Sequence, residues 1–279
     1  MADRSIIRPA TDRPTSGEPI AGRTRGVAEV ATAPHRGRLF TLLALGLDRP
    51  GAALRSALAA DAFGTGLVTA AEAVGPDVAR TARPVKTALE GDALDRRWAT
   101  LFGTEGETVS PYELRYLPGP LMTNVRRLAD LNGFYEAFCL EPADGRADRR
   151  DHVCFQLEFL GQLAYREAAL AAAGDDTGVA VVADAYGSLL EDHLGRWYWR
   201  FADEVSRRDD GPYAALVDLL AALVEVEIDR LDLEPDWVPD DPAVAEWTEG
   251  VFGDDGHACG PCGVVPGAGD PANQPEGDT

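Results

Sequence analysis

Apolar residues along this chain recur at three- and four-residue spacing, and no run alternates with period two. Leu39, Leu42, Leu43 and Leu47 open the pattern, and Asp48-Arg49-Pro50 closes it, so a first helix is expected from Arg38. A second is expected over residues 51–60, with Ala52, Leu54 and Leu58 as its apolar content and Phe63 beyond. A weaker run over residues 64–80 holds Leu67, Val68, Ala71 and Val74 and is closed by Gly75-Pro76. Leu94, Trp98, Leu101 and Phe102 make a short amphipathic helix. A polar loop over residues 103–109 then leads to Ser110-Pro111, where Pro111 suits a first helical position. The short element that follows carries Tyr112, Glu113 and Tyr116 and stops at Pro118-Gly119-Pro120.

Two longer helices are expected next, over residues 122–140 and 148–172. Pro142 and Gly145 stop the first, and Asp148 or Asp151 can start the second. After a turn at residues 174–178, the stripe Val182, Tyr186, Leu189, Leu190, Leu194, Trp197, Phe201 and Val205 predicts one long helix over 179–206, with His193 inside the stripe. Pro212 opens a further helix with Leu216, Leu219, Leu220, Leu223, Val224 and Ile228. Pro235 and Pro239 break it, and a short acidic helix with Val244 and Trp247 is expected beyond. The reading is all-α: a single-domain helical bundle over residues 37–250, between a disordered N-terminal tail (1–36) and a flexible Gly/Pro-rich tail (251–279).

Charge narrows the partners. The formal net charge is −21, from 47 acidic against 26 basic residues, and Lys86 is the one lysine among them. Such a field repels nucleic-acid phosphates and anionic lipid. An acidic, lysine-poor surface suits high salt, where charge is screened within about 3 Å at ~1 M, and a salt-adapted source is inferred. No stretch reaches the ~20 apolar residues of a membrane-spanning helix, and no signal-peptide pattern opens the chain, so a cytoplasmic location is expected. Four cysteines are too few for a disulfide scaffold of this size.

Candidate chemistry is sparse. Asp151-His152 stands at the mouth of an apolar helix, where a carboxylate can cap free N–H groups. Trp98, Leu101 and Phe102 share one helix face, which suits either core packing or a groove for a partner's apolar segment. Trp197, Tyr198, Trp199 and Phe201 form an aromatic cluster best read as core for Trp197 and Phe201. His257-Ala258-Cys259-Gly260-Pro261-Cys262 has the spacing of a zinc or redox site, with zinc or iron as the candidate metal, but lacks a fourth ligand unless Cys139, Cys154 or a second subunit supplies one. A metal- or redox-active protein built on His257, Cys259 and Cys262 is therefore the alternative function. No phosphate loop, nucleophile triad or carboxylate pair is found, so no enzyme and no cofactor are expected.

In their order and spacing these motifs resemble the TorD/DmsD/NarJ family of redox-enzyme maturation chaperones. The resemblance rests on the start Arg38-Leu39-Phe40, then Trp98-x-x-Leu101-Phe102, then Ser110-Pro111-Tyr112-Glu113-x-x-Tyr116. Ala129-Asp130 with Gly133-Phe134-Tyr135-x-x-Phe138, then Asp151-His152 before Leu157-Glu158-Phe159, and His193-Leu194-x-x-Trp197 with Phe201 complete it over roughly residues 38–230. It implies a cytoplasmic, TorD-like chaperone, monomer or dimer, that binds the twin-arginine signal peptide or the body of an apo-molybdoenzyme of the dimethyl sulfoxide reductase superfamily. It holds that subunit until the cofactor is inserted, before export or assembly. It places Trp98, Leu101, Phe102, Pro111, Tyr112, Asp151 and His152 at the peptide-binding surface. Beside them, Glu113 is a candidate for its charge and Tyr116 as a residue of the same Ser110–Tyr116 motif. Trp98, Leu101, Phe102 and Tyr112 are expected to bury an apolar h-region, while Asp151 and Glu113 attract a cationic n-region.

Overall fold

The computed structural model describes residues 7–9, 27–89, 94–103, 108–117, 119–143 and 148–236. The chain divides into two units, residues 1–240 and 241–279. The second unit, which includes the expected acidic helix with Val244 and Trp247 and the cluster His257, Cys259 and Cys262, lies outside the described residues.

Helix α1 (Val27–Leu47) starts well ahead of the expected boundary at residue 37. Its first turns carry alanine and valine rather than a leucine stripe, and Pro34 lies inside it, removing one backbone donor. Both features hide the helix from a periodicity reading. Packing overrides them: Ala33 and Arg36 are buried in the finished fold. The N-terminal stretch read as a tail therefore supplies core.

Helices α2 (Ala52–Ala59) and α3 (Ala62–Val74) follow as the pattern predicts. Helix α4 (Pro76–Ala88) is a second departure. Gly75 ends α3, but Pro76 sits at the start of a new helix rather than past the end of an old one. Its buried face is Val78, Ala79, Ala82 and Val85, with Pro84 in the interior, and is too alanine-rich to read as a stripe. Helix α5 (Leu94–Phe102) and the single turn α6 (Glu113–Tyr116) flank the loop. Pro111 is not the first helical residue of α6, because the chain stays extended through Tyr112.

Helices α7 (Leu121–Ala137) and α8 (Val153–Ala173) form the expected central pair. Strand β1 (Ile7–Pro9) pairs antiparallel with β2 (Leu140–Pro142) in the connector between them. Three residues per strand are too few to show an alternation. Helix α9 (Asp176–Leu189) and helix α10 (Gly195–Ser206) occupy the predicted long helix, but a π-helical turn, Leu190–Leu194, lies between them. Helix α11 (Pro212–Leu231) closes the described part.

The core is centred on α8, buried on most of its circumference, and α1 packs along it. That crossing is close because both helices present glycine. A Cβ on Gly161 would stand 2.7 Å from Thr41 Oγ1 and 3.2 Å from the Gly37 carbonyl. The same seam buries a charged group: Arg36 Nη2 donates to Glu167 at 2.7 Å, and its Nε lies 3.6 Å from Glu227. Tyr186 and Arg230 also donate to Glu227, at 2.8 and 2.5 Å. Two guanidinium groups thus meet two carboxylates, the balance that a buried ionic cluster needs.

Candidate functional site

The segment Ser110–Tyr116 and the start of α8 hold each other. The Val153 N–H donates to the Pro111 carbonyl at 2.8 Å, and the Glu113 N–H donates to the Asp151 carbonyl at 2.9 Å. These bonds set Tyr112 opposite His152 as an antiparallel bridge. The cap of α8 is His152, one residue past the expected Asp151: its Nδ1 accepts the Cys154 N–H at 3.1 Å. That bond leaves Nδ1 unprotonated and puts the ring proton on Nε2. Asp151 works instead on the neighbouring helix, its Oδ2 accepting the Leu114 N–H in the first turn of α6 at 3.3 Å.

The charge of Asp151 is answered inside the chain. Arg149 grips it through two bonds, Nε to Oδ1 and Nη2 to Oδ2, each 2.9 Å. The Arg149 guanidinium also lies over the Tyr112 ring, 4.7 Å from its centroid, and Tyr112 Oη donates to Asp148 at 3.1 Å. Asp151 is fully buried. It is therefore not an open anionic contact for an incoming cation. Burial, then Asp148, pushes the Tyr112 hydroxyl above its ordinary pKa, so it stays a donor.

Glu113 is buried too, and it anchors a polar chain through the bundle. Gln156 Nε2 donates to its Oε2 at 2.7 Å. His193 Nδ1 lies 3.1 Å from Glu113 Oε1, and His193 Nε2 lies 3.1 Å from Asp130 Oδ2. The imidazolium form donates from both nitrogens and so answers a carboxylate at each. Burial pulls the His193 pKa down, but the bond and charge of Glu113, then those of Asp130, outweigh it, and the net shift is upward. The π-helical turn is what aims this ring, since it changes the facing of residues 190–194 relative to a regular helix. Gly195 permits the turn, because a Cβ there would run into the Leu190 carbonyl.

The aromatic candidates form a second, connected group. Trp98 donates from Nε1 to the Leu47 carbonyl at 3.1 Å, and its ring lies 5.9 Å from Phe102. Phe102 stacks on Phe201 at 6.1 Å and meets Tyr213 edge-on at 5.8 Å. Phe201 in turn touches Tyr116, which stacks on Trp197 at 5.2 Å and donates to the Ser110 carbonyl at 2.8 Å. Leu101 is buried, and Trp98 and Phe102 pack half-buried against the core. The structure thus joins Trp98, Phe102 and Tyr116 through Phe201 and ties Pro111, Tyr112 and Glu113 to Asp151 and His152. It spends most of these groups on internal contacts.

Asp130, Gln156 and His193 are the functional-site partners that residue-by-residue reasoning missed. A histidine inside an apolar stripe was the signal available for His193, and Ala129-Asp130 stood among the motifs of the resemblance; nothing marked Gln156. Among the described residues no group of three His, Cys, Asp or Glu is arranged to hold a metal ion. No single described helix is long and apolar enough to cross a membrane.

Compared with known proteins, residues 59–203 match a family model described as nitrate reductase delta subunit. The match runs from the end of α2 into α10 and is narrower than the resemblance over residues 38–230. No curated protein matches the chain.

Proposed function

Because the chain belongs to the nitrate reductase delta subunit family, which is the NarJ/TorD type of chaperone, we propose that it binds the unfinished catalytic subunit of a molybdoenzyme. The subunit is of the dimethyl sulfoxide reductase superfamily and is held through its twin-arginine leader or a related segment until its cofactor is inserted. The chaperone acts in the cytoplasm and catalyses no reaction itself. One observation carries the reading: every residue expected at the peptide surface, from Trp98 to His152, falls inside the matched span. The geometry refines how such a surface works. Asp151, His152 and Glu113 set the shape of the site by fixing α6 against α8, and the half-buried rings of Trp98, Phe102 and Tyr112 supply the apolar contact.

The test is affinity purification of the tagged chain from its own cells at native salt, repeated with Trp98→Ala and Asp151→Ala. Recovery of a molybdopterin-enzyme subunit by the wild type supports the chaperone. Weakening by Trp98→Ala locates the apolar contact at α5. Recovery of no such subunit overturns the reading.

A further inference from the structure

Helix α7 carries an apolar face that the described fold leaves uncovered. Leu121 is 77% exposed, Met122 63% and Val125 49%. Leu121 and Val125 are one helical turn apart, and Met122 is three residues from Val125, so the three share one side of the helix. Single exposed apolar residues are ordinary, but three on one turn form a patch. Of the residues of α7, only Leu131 and Tyr135, in its second half, are buried. The first half projects.

Charge around this patch runs against the rest of the molecule. Residues 114–129 contain Arg115, Arg126 and Arg127 and no Asp or Glu, in a chain of net charge −21. Arg115 and Arg126 are exposed. Arg127 donates to the Leu117 carbonyl. Burial first, then the charge of Arg196, lowers the Arg127 pKa, so a further guanidinium lies within electrostatic reach, with the Asp192 carboxylate acting on that Arg196. The nearest carboxylate along the helix is Asp130, already engaged by His193, and Glu113 is buried behind it. A locally cationic, apolar face on an acidic protein is complementary to apolar side chains interspersed with carboxylates. It repels a cationic leader, and the overall −21 field repels an anionic membrane.

We propose that the exposed face of α7, centred on Leu121, Met122 and Val125 and flanked by Arg126 and Arg127, docks an apolar, carboxylate-bearing segment of the client polypeptide. The identity of that polypeptide rests on the chaperone reading; the chemistry of the segment does not. The contact is separate from any contact of the aromatic group around Trp98 with a leader.

The probe is a fluorescent helical peptide with leucine at four-residue spacing and glutamate between, set against the same peptide with arginine for glutamate. Binding to the full chain is followed by anisotropy across a salt series. The glutamate peptide is expected to bind, and to weaken at least about tenfold with Leu121→Ser/Val125→Ser and again with Arg126→Glu. Both variants change exposed positions, and circular dichroism confirms their fold. Equal binding of the arginine peptide, or variants that bind like the wild type, overturns the proposal. So does a wild-type dimer that the variants convert to monomer, because the face is then covered by a second copy. Co-purification separates the two readings. A molybdoenzyme subunit retained equally by wild type and variants sinks the surface and keeps the chaperone. Peptide binding as expected with no such subunit recovered keeps the surface and sinks the chaperone.

Discussion

His193 bridges from the π-helical turn to Glu113, its Nδ1 3.1 Å from a carboxylate that has no solvent exposure. The opposite ring nitrogen reaches Asp130 on α7, so one imidazolium ties α6, α7 and the turn before α10 together. Substituting His193 by Gln keeps a donor but removes the positive charge, leaving Glu113 buried without its counter-ion. Breaking such a buried pair costs about 3–5 kcal/mol. The loss is expected to depend on pH. A histidine whose pKa is raised on folding contributes stability in full below its unfolded value of about 6.5, and that contribution fades as the pH rises through the higher folded value. Denaturant midpoints of wild type and His193→Gln should therefore lie furthest apart near pH 6 and converge at alkaline pH. A gap that does not change with pH refutes the charged form of His193.

The turn that aims His193 depends on a residue that has no side chain. Gly195→Ala places a Cβ against the Leu190 carbonyl, and the turn must shift to admit it. Overpacking of this kind costs roughly 1–3 kcal/mol. The shift should also disturb the ring contacts of His193, so the pH dependence described above should shrink in Gly195→Ala. A calorimetric titration of stability against pH reads both. An alanine variant with wild-type stability and an unchanged pH profile would show that the turn tolerates a side chain.

Asp151 tests whether the Asp-His pair is a recognition group or a structural one. Its carboxylate is buried and bound to Arg149 and the Leu114 N–H. Asp151→Ala strands the half-buried Leu114 N–H and frees Arg149, at about 1–3 kcal/mol, a fall of roughly 2–4 °C in Tm per kcal/mol for a protein of this size. Asp151→Asn keeps an acceptor for the Leu114 N–H and removes a buried charge together with its two bonds to Arg149, whose guanidinium is more than half exposed and stays solvated. The asparagine variant should melt close to wild type and bind the client normally. A loss of client binding by Asp151→Asn at unchanged Tm would make the charge itself the contact.

Helix positions from α7 onward were legible because leucine and aromatic residues at α8, α10 and α11 recur at helical spacing. Trp98, Leu101 and Phe102 were likewise rightly placed on one face of α5. The hidden parts have physical causes. The first turns of α1 bury Ala33 and Arg36 beside Pro34, and α4 buries alanine and valine around Pro84, so those faces carry too little contrast to see. The π-helical turn changes facing without changing composition. Asp151 and Glu113 read as anionic contacts because a sequence does not show that Arg149 and His193 already answer them.

The last prediction concerns where the fold begins. Composition puts a boundary at residue 37, after a stretch rich in proline, glycine and arginine, and on that reading a chain started there loses only a tail. The structure assigns that stretch a share of the core. Removing Val27–Arg36 deletes the first turns of α1, uncovers the site filled by Ala33, and takes Arg36 from between Glu167 and Glu227. Arg230 alone then faces two buried carboxylates, an excess of one negative charge in the interior of the α1–α8 seam. The expected penalty is about 3–5 kcal/mol for the broken charge cluster, a large share of the ~5–15 kcal/mol that holds a typical domain. A chain starting at residue 37 should therefore unfold at lower denaturant than one starting at residue 27. In the longer chain, Arg36→Leu should reproduce much of the loss, while Arg36→Leu combined with Glu167→Leu should recover part of it, because the double change restores the charge balance around Glu227 and Arg230. If the two starting points give the same denaturant midpoint, α1 contributes nothing before residue 37 and the buried cluster is not a stabilising unit.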